Sequence, residues 1–228
     1  MLIWLVLIPL IAAALIGLCK APARPTALLS ASLTLALGIW ALVSFDGCSS
    51  CWSRFEGMDL QLTLAPALSK VMLLLTILVT FATVLGTNPP QGGEASWYNS
   101  ALLISAGATG AFLSDNIISF FAFHELALIP TFVMIGLYGR GDRRTTAWRA
   151  TLYLALASMV LLAALLMIGT QAGFTFSGLK DFMASGRELA HAELIGALLI
   201  AGFGTLISLF PFHSWACLLY TSPSPRDR

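Results

Sequence analysis

Asn116-Ile-Ile-Ser-Phe-Phe-Ala-Phe-His-Glu-Leu-Ala-Leu-Ile-Pro-Thr-Phe-Val-Met-Ile-Gly-Leu-Tyr138 is apolar along nearly its whole length. As an α-helix rising about 1.5 Å per residue it spans roughly 35 Å, enough to cross a hydrocarbon core of about 30 Å. Its one carboxylic acid, Glu125, falls roughly 14 Å from the start and so close to the midplane. An ionisable group at that depth costs on the order of a few kcal/mol, and more when unpaired. The default expectation is a functional carboxylate that faces protein or water.

The surrounding sequence places this helix in a membrane protein. Hydrophobic residues make up 58% of the chain, charged residues 10%, and mean hydropathy is +0.87. Soluble domains carry roughly 25% charged residues. A net charge of +1 without a long basic run argues against nucleic acid as a partner. The chain has no nucleotide-binding glycine motif and no haem or iron–sulfur cysteine pattern. Leu2–Leu18 lacks a basic leader and is followed by further apolar runs, so it is expected to be a first membrane helix rather than a signal peptide.

Seven apolar segments stand between Pro, Gly and charged punctuation: Leu2–Cys19, Ala27–Phe45, Ala67–Thr87, Ser100–Leu113, Asn116–Tyr138, Ala147–Thr170 and Glu193–Phe210. The expected fold is all-α and polytopic. Only Ser114-Asp115 separates the fourth segment from the fifth, which predicts a tight antiparallel pair. Lys20, Arg24, Arg140, Arg143, Arg144 and Arg149 fall on one side of the membrane. Arg54, Lys180 and Arg187 fall on the other, diluted by Asp46, Glu56, Asp59, Asp181 and Glu188. Positive-inside counting puts the N-terminus outside. Residues 1–98 are expected to form a leading three-helix segment and 99–216 the start of the functional module. The tail 217–228 reads as a translated sequencing adapter on a truncated frame and is set aside.

Phe120-Phe-Ala-Phe-His-Glu-Leu-Ala-Leu-Ile-Pro130, with Ile135-Gly-Leu-Tyr-Gly-Arg140 and Arg143-Arg-Thr-Thr-Ala147, resembles the fifth helix and following loop of the antiporter-like subunits of respiratory complex I. It is most similar to subunit M, the counterpart of NADH dehydrogenase chain 4. Leu209-Phe-Pro-Phe-His-Ser-Trp215 resembles the Pro-x-His-x-Trp stretch where that family's seventh helix is interrupted. The resemblance implies the first part of an inverted-repeat fold and a proton-translocating module without its own redox centre. It also implies that NADH, FMN, iron–sulfur clusters and quinone are bound by partner subunits.

In the relatives so resembled, the fifth-helix glutamate pairs with a lysine on the seventh helix. Glu125 matches the glutamate, but the lysine position falls on Leu206, and no Lys or Arg occurs between Glu193 and Trp215. Thr205 and Ser208 are the polar groups near that depth, and His213 follows at the Pro break, where freed backbone groups invite water. Three readings follow: His213 takes the cation's role, the partner lies beyond this sequence, or the module no longer pumps by the usual pair. His124 stands where the family usually carries Trp. It is expected to lie about 100° around the helix from Glu125, too far to share one face, as a hydrogen-bonded bundle residue or a proton relay. Pro130 removes a backbone donor and loosens the ladder near Leu126–Leu128.

Asp115 is expected to complement the dipole of the fifth helix. Cys48 and Cys51 form a lone C-x-x-C, expected as free thiols ahead of a disulfide or a zinc site. Gly202 and Gly204 are expected to serve close helix packing. No metal site is expected. The function so implied is a proton-translocating subunit of a bacterial inner-membrane NADH:quinone oxidoreductase. Alternatives are a multi-subunit cation/proton antiporter, a membrane-bound hydrogenase subunit, or a non-pumping structural subunit.

Overall fold

The computed structural model describes residues 2–44, 49–55, 58–64, 67–89, 92–139 and 142–219. Asp46, Cys48, Glu56, Arg140 and 220–228 lie outside the described residues, as do the side chains of 49–61, so the Cys48/Cys51 pair is outside as well. The chain divides into two compact units. One comprises Met1–Thr131 with Thr175–Ser177, the other Phe132–Phe174 with Gly178–Arg228.

The first unit contains α1 (Leu2–Gly17), α2 (Ala23–Ser44), the strands β1 (Ser49–Phe55) and β2 (Met58–Thr63), α3 (Ala67–Gly86), α4 (Glu94–Leu113) and most of α5 (Ile117–Tyr138). Helix α4 packs against α1, α2 and α3. A cluster of Leu2, Leu5, Ala41, Leu62, Leu64, Leu73, Ile77 and Leu113 gathers the start of α1, the end of α2, the start of α3 and the end of α4 at one end of the unit. Outside the core the helices stay apolar: Leu29 is 71% exposed and Val43 82%. That is the surface expected where lipid rather than water is the solvent. Association there depends on close packing of small residues more than on hiding leucines. Accordingly Ser105, Ala106, Gly107, Thr109, Gly110 and Ala111 of α4 are buried.

The antiparallel β1–β2 pair, with Phe55 opposite Met58, was not anticipated among the helices. Its Met58-Asp-Leu-Gln-Leu-Thr63 strand alternates apolar and polar residues, the period of a half-buried strand.

The second unit contains the end of α5, then α6 (Arg143–Ala172), most of α7 (Phe176–Ala184), α8 (Ala192–Leu206) and α9 (Ser214–Leu219). Helices α6 and α8 pack together through Gly202, where an added Cβ would lie 2.9 Å from the Leu161 Cβ. Gly202 thus has the packing role expected of it, while Gly204 has only ordinary contacts. Gln171 at the end of α6 fixes the approach to α8, donating to Ala190 O at 3.3 Å and accepting from the Ala190 amide at 2.6 Å.

All seven apolar segments are helical, with different ends. Helices α2, α3, α5 and α6 are long and apolar enough to cross a membrane, whereas α1 and α8 are shorter apolar helices. The seventh segment was expected to run to Phe210, but α8 stops at Leu206 and Ser208 takes a left-handed φ of 58°. The chain resumes as α9 only after Pro211, which has no amide hydrogen to continue a helix.

Candidate functional site

Helix α5 is positioned by two features of its sequence surroundings. At its start, the Asn116 side chain accepts from the amides of Ile118 at 2.8 Å and Ser119 at 3.3 Å. Its first turn therefore has an N-cap supplied by Asn116. Asp115, expected to serve that end, instead turns to α7. Its carboxylate accepts from the Ser177 amide at 3.2 Å and the Ser177 hydroxyl at 2.7 Å, and its carbonyl accepts from the Phe176 amide. Asn116, one residue closer, already holds the α5 amides and leaves Asp115 free to serve α7.

Farther along, α5 lies close against α4. A Cβ at Gly107 would meet the Phe123 carbonyl oxygen at 2.7 Å and Ala127 Cβ at 3.0 Å, and one at Gly110 would strike the Phe123 ring. The tight pair expected from the two-residue connection is present. Phe123 and Ala127 mark the α4-facing side, and at about 100° per residue Glu125 projects from nearly the opposite side.

Glu125 is midway along α5, with its side chain 32% exposed and His124 25% exposed. His124 Nδ1 approaches Glu125 Oε1 to 3.4 Å. This overturns the expectation that 100° of helical rotation separates the two. The backbone angle holds, but both side chains are long enough to curl toward each other. Both polar atoms are buried and neither has a hydrogen-bond partner. The distance is an ionic contact when His124 is protonated, and it exceeds the usual N–H···O separation of about 2.9 Å. The His124 ring also lies 6.3 Å from that of Phe121.

Pro130 is buried inside α5, which continues unbroken through it. Proline has no N–H, so the Leu126 carbonyl loses its donor one turn later. The Thr131 hydroxyl donates to the neighbouring Ala127 carbonyl at 2.8 Å. The loosened stretch therefore begins one residue after Glu125.

The other predicted site residues belong to the second unit. Thr205 is buried and its hydroxyl donates to Ala201 O at 2.7 Å, so it is satisfied within α8. Its carbonyl accepts from the Trp215 indole at 2.8 Å and from the Ser208 amide at 3.1 Å, which ties α9 back to the end of α8. His213 lies in this interruption, its ring stacked on Phe210 with centroids 5.6 Å apart. Its Nδ1 is buried without a hydrogen-bond partner. Leu206 is the last residue of α8, immediately before the break.

The basic loop between α5 and α6 closes both helix ends. Arg143 donates to Leu137 O at 2.8 Å, and the Asp142 side chain caps α6 by accepting from the Thr145 amide. The hydroxyl and amide of Thr145 hold the Asp142 carboxyl below its ordinary range. No group of three or more His, Cys, Asp or Glu side chains suited to a metal occurs among the described residues.

Residues 114–225 match the family described as NADH:quinone oxidoreductase/Mrp antiporter, transmembrane. The chain is 30% identical to NAD(P)H-quinone oxidoreductase chain 4 2 of Microcystis aeruginosa, over 65% of this chain and 27% of that protein. It is 24% identical to F(420)H(2) dehydrogenase subunit M of Methanosarcina mazei, over 92% of this chain and 46% of that protein. The chain thus spans between about a quarter and a half of these curated relatives. Its fold resembles a chain of respiratory complex I from Thermus thermophilus, with a TM-score of 0.83 at 24% identity, covering 97% of this chain and 47% of that one.

Proposed function

From the match of residues 114–225 to the NADH:quinone oxidoreductase/Mrp antiporter membrane family, we propose that this chain is a proton-translocating membrane subunit of a NADH:quinone oxidoreductase. The observation that carries the proposal is Glu125, a carboxylate midway along a helix long enough to span the bilayer, with a buried oxygen that no protein donor satisfies. Such a group is expensive to hold as an anion and binds a proton readily when its surroundings lose positive charge. Alternating between the two states is what a proton carrier requires.

His213 is the second proton-handling group in this scheme. Its unsatisfied ring nitrogen sits where α8 is interrupted, a place suited to water because backbone groups there are released from the helix. Pro130 contributes by releasing the Leu126 carbonyl beside Glu125. Thr205 and Ser208 shape the interruption through the Thr205 carbonyl.

The driving reaction belongs to other subunits. They bind NADH, FMN, iron–sulfur clusters and quinone, while this chain packs against other membrane-arm subunits of the complex. The basic residues at 20, 24, 143, 144 and 149 favour the cytoplasmic side of a bacterial inner membrane for their loops, and an external N-terminus.

The deciding experiment is Glu125→Gln in the assembled complex, with proton release measured in vesicles alongside quinone reduction. The amide cannot bind or release the carboxyl proton, so translocation by this subunit should be abolished. A complex that carried Glu125→Gln and translocated protons at the native stoichiometry would overturn the assignment.

A further inference from the structure

We infer that His124 is the positioning partner of Glu125, and that the two neighbouring side chains exchange one proton within α5. The inference rests on Glu125 being the proton-carrying group proposed above. It starts from an imbalance: a carboxylate oxygen and an imidazole nitrogen are both buried, both lack a hydrogen-bond partner, and lie 3.4 Å from each other. Among the described residues, His124 provides the ionic contact made by Glu125. Each group supplies what the other lacks, because an imidazolium offers an N–H donor and a carboxylate offers only acceptors.

The exchange needs no co-reactant. The His124 Nδ1–H bond breaks and a Glu125 Oε1–H bond forms, converting imidazolium and carboxylate into neutral imidazole and carboxylic acid. The reverse step restores the charged pair. The gap of 3.4 Å exceeds a normal N–H···O distance by about 0.5 Å. A small rotation of either side chain closes it.

Adjacent positions make this arrangement specific. Residues one apart diverge by about 100° on a helix, so only side chains that bend toward each other meet. His124 does so beneath Phe121, whose ring flanks the imidazole at 6.3 Å. A histidine suits the task because its protonated ring donates an N–H and its neutral ring presents an acceptor nitrogen, so the same atom can give and take the proton.

The test uses His124→Phe and His124→Gln in the assembled complex, each read by infrared spectroscopy of the carboxyl C=O stretch and by proton translocation. Loss of the imidazolium should leave Glu125 protonated in a larger fraction of molecules, giving a new carboxylic-acid band at fixed pH. That band must vanish in the His124→Phe/Glu125→Gln double variant. Translocation should fall well below the native rate in both variants, because the carboxyl proton loses its neighbouring acceptor. Should His124→Phe fail to assemble, His124→Gln carries the same test, since it keeps a polar group but cannot hold a positive charge. Native translocation in both variants would overturn the partnership while leaving Glu125 as the carrier. Reduced translocation without the new band would reduce His124 to a packing residue and also overturn it. Native translocation in Glu125→Gln alone would instead remove the carrier itself.

Discussion

Gly107→Val should disrupt the seating of α5 more than its modest chemistry suggests. An added Cβ lies 2.7 Å from the Phe123 carbonyl oxygen and 3.0 Å from Ala127 Cβ and N. An ordinary carbon–oxygen approach is about 3.3 Å, so the two helices must separate by about 0.6 Å before the valine methyls are placed. The obstructing atoms are mostly backbone, which cannot rotate away. Overpacking of this kind costs roughly 1–3 kcal/mol, and the two extra methyls put this case near the upper end. For a chain of this size that lowers the melting midpoint by about 5–10 °C. The matched control is Gly196→Val on α8, where an added Cβ meets nothing within 4 Å. Tryptophan-fluorescence melts of the two variants in the assembled complex provide the comparison. Under the proposed function, Gly107→Val should also lower translocation, because Phe123 is two residues before Glu125. Equal midpoints for the two variants, within about 1 °C, would refute the close α4–α5 contact.

The paired caps should separate in hydrogen exchange. Asn116→Ala is expected to cost about 1 kcal/mol and speed exchange at Ile118 and Ser119, whereas Asp115→Ala should speed exchange at Ser177 and leave those two amides as they were. Faster α5 exchange in Asp115→Ala would restore Asp115 as the α5 cap. The lowered Asp142 pKa gives a pH dependence with a definite sign. A depressed folded-state value means the contribution of the cap is present above the unfolded value near 3.8 and is lost as pH falls through the folded value. Protection of the Thr145 amide should therefore fall on acidification in the native chain, and an identical pH profile in Asp142→Asn would contradict this.

Helix positions were legible in the sequence because a bilayer imposes a length and an apolar composition on anything that crosses it. Ile117–Tyr138 illustrates this, starting within one residue of the expected segment. Details decided by short polar groups were less legible. Asp115 and Asn116 are both plausible caps by type, and only the backbone path determines that one serves α5 and the other α7. The Lys180–Glu188 stretch falls outside the seven apolar segments, yet Phe176–Ala184 is helical and has no buried residues, so no apolar length requirement revealed it. At the candidate site, the composition and depth of the segment singled out Glu125, whereas the helix of the seventh apolar segment ends at Leu206, short of the Pro211-Phe-His213 stretch where the interruption was expected. The His124 contact was missed because a helical wheel locates Cβ atoms and ignores how far two long side chains can fold back.

The connection between α4 and α5 has a further consequence for how this protein can vary. Ser114 bonds back to Gly110, Asp115 holds Ser177, and Asn116 holds Ile118 and Ser119. Three successive residues thus have three different obligations, in three different directions. A single inserted residue would put at least one of them out of register, so this junction is a poor site for an epitope tag or a length change. The turn at Gly186, with φ of 73° and open space around its Cα, has room to accept one.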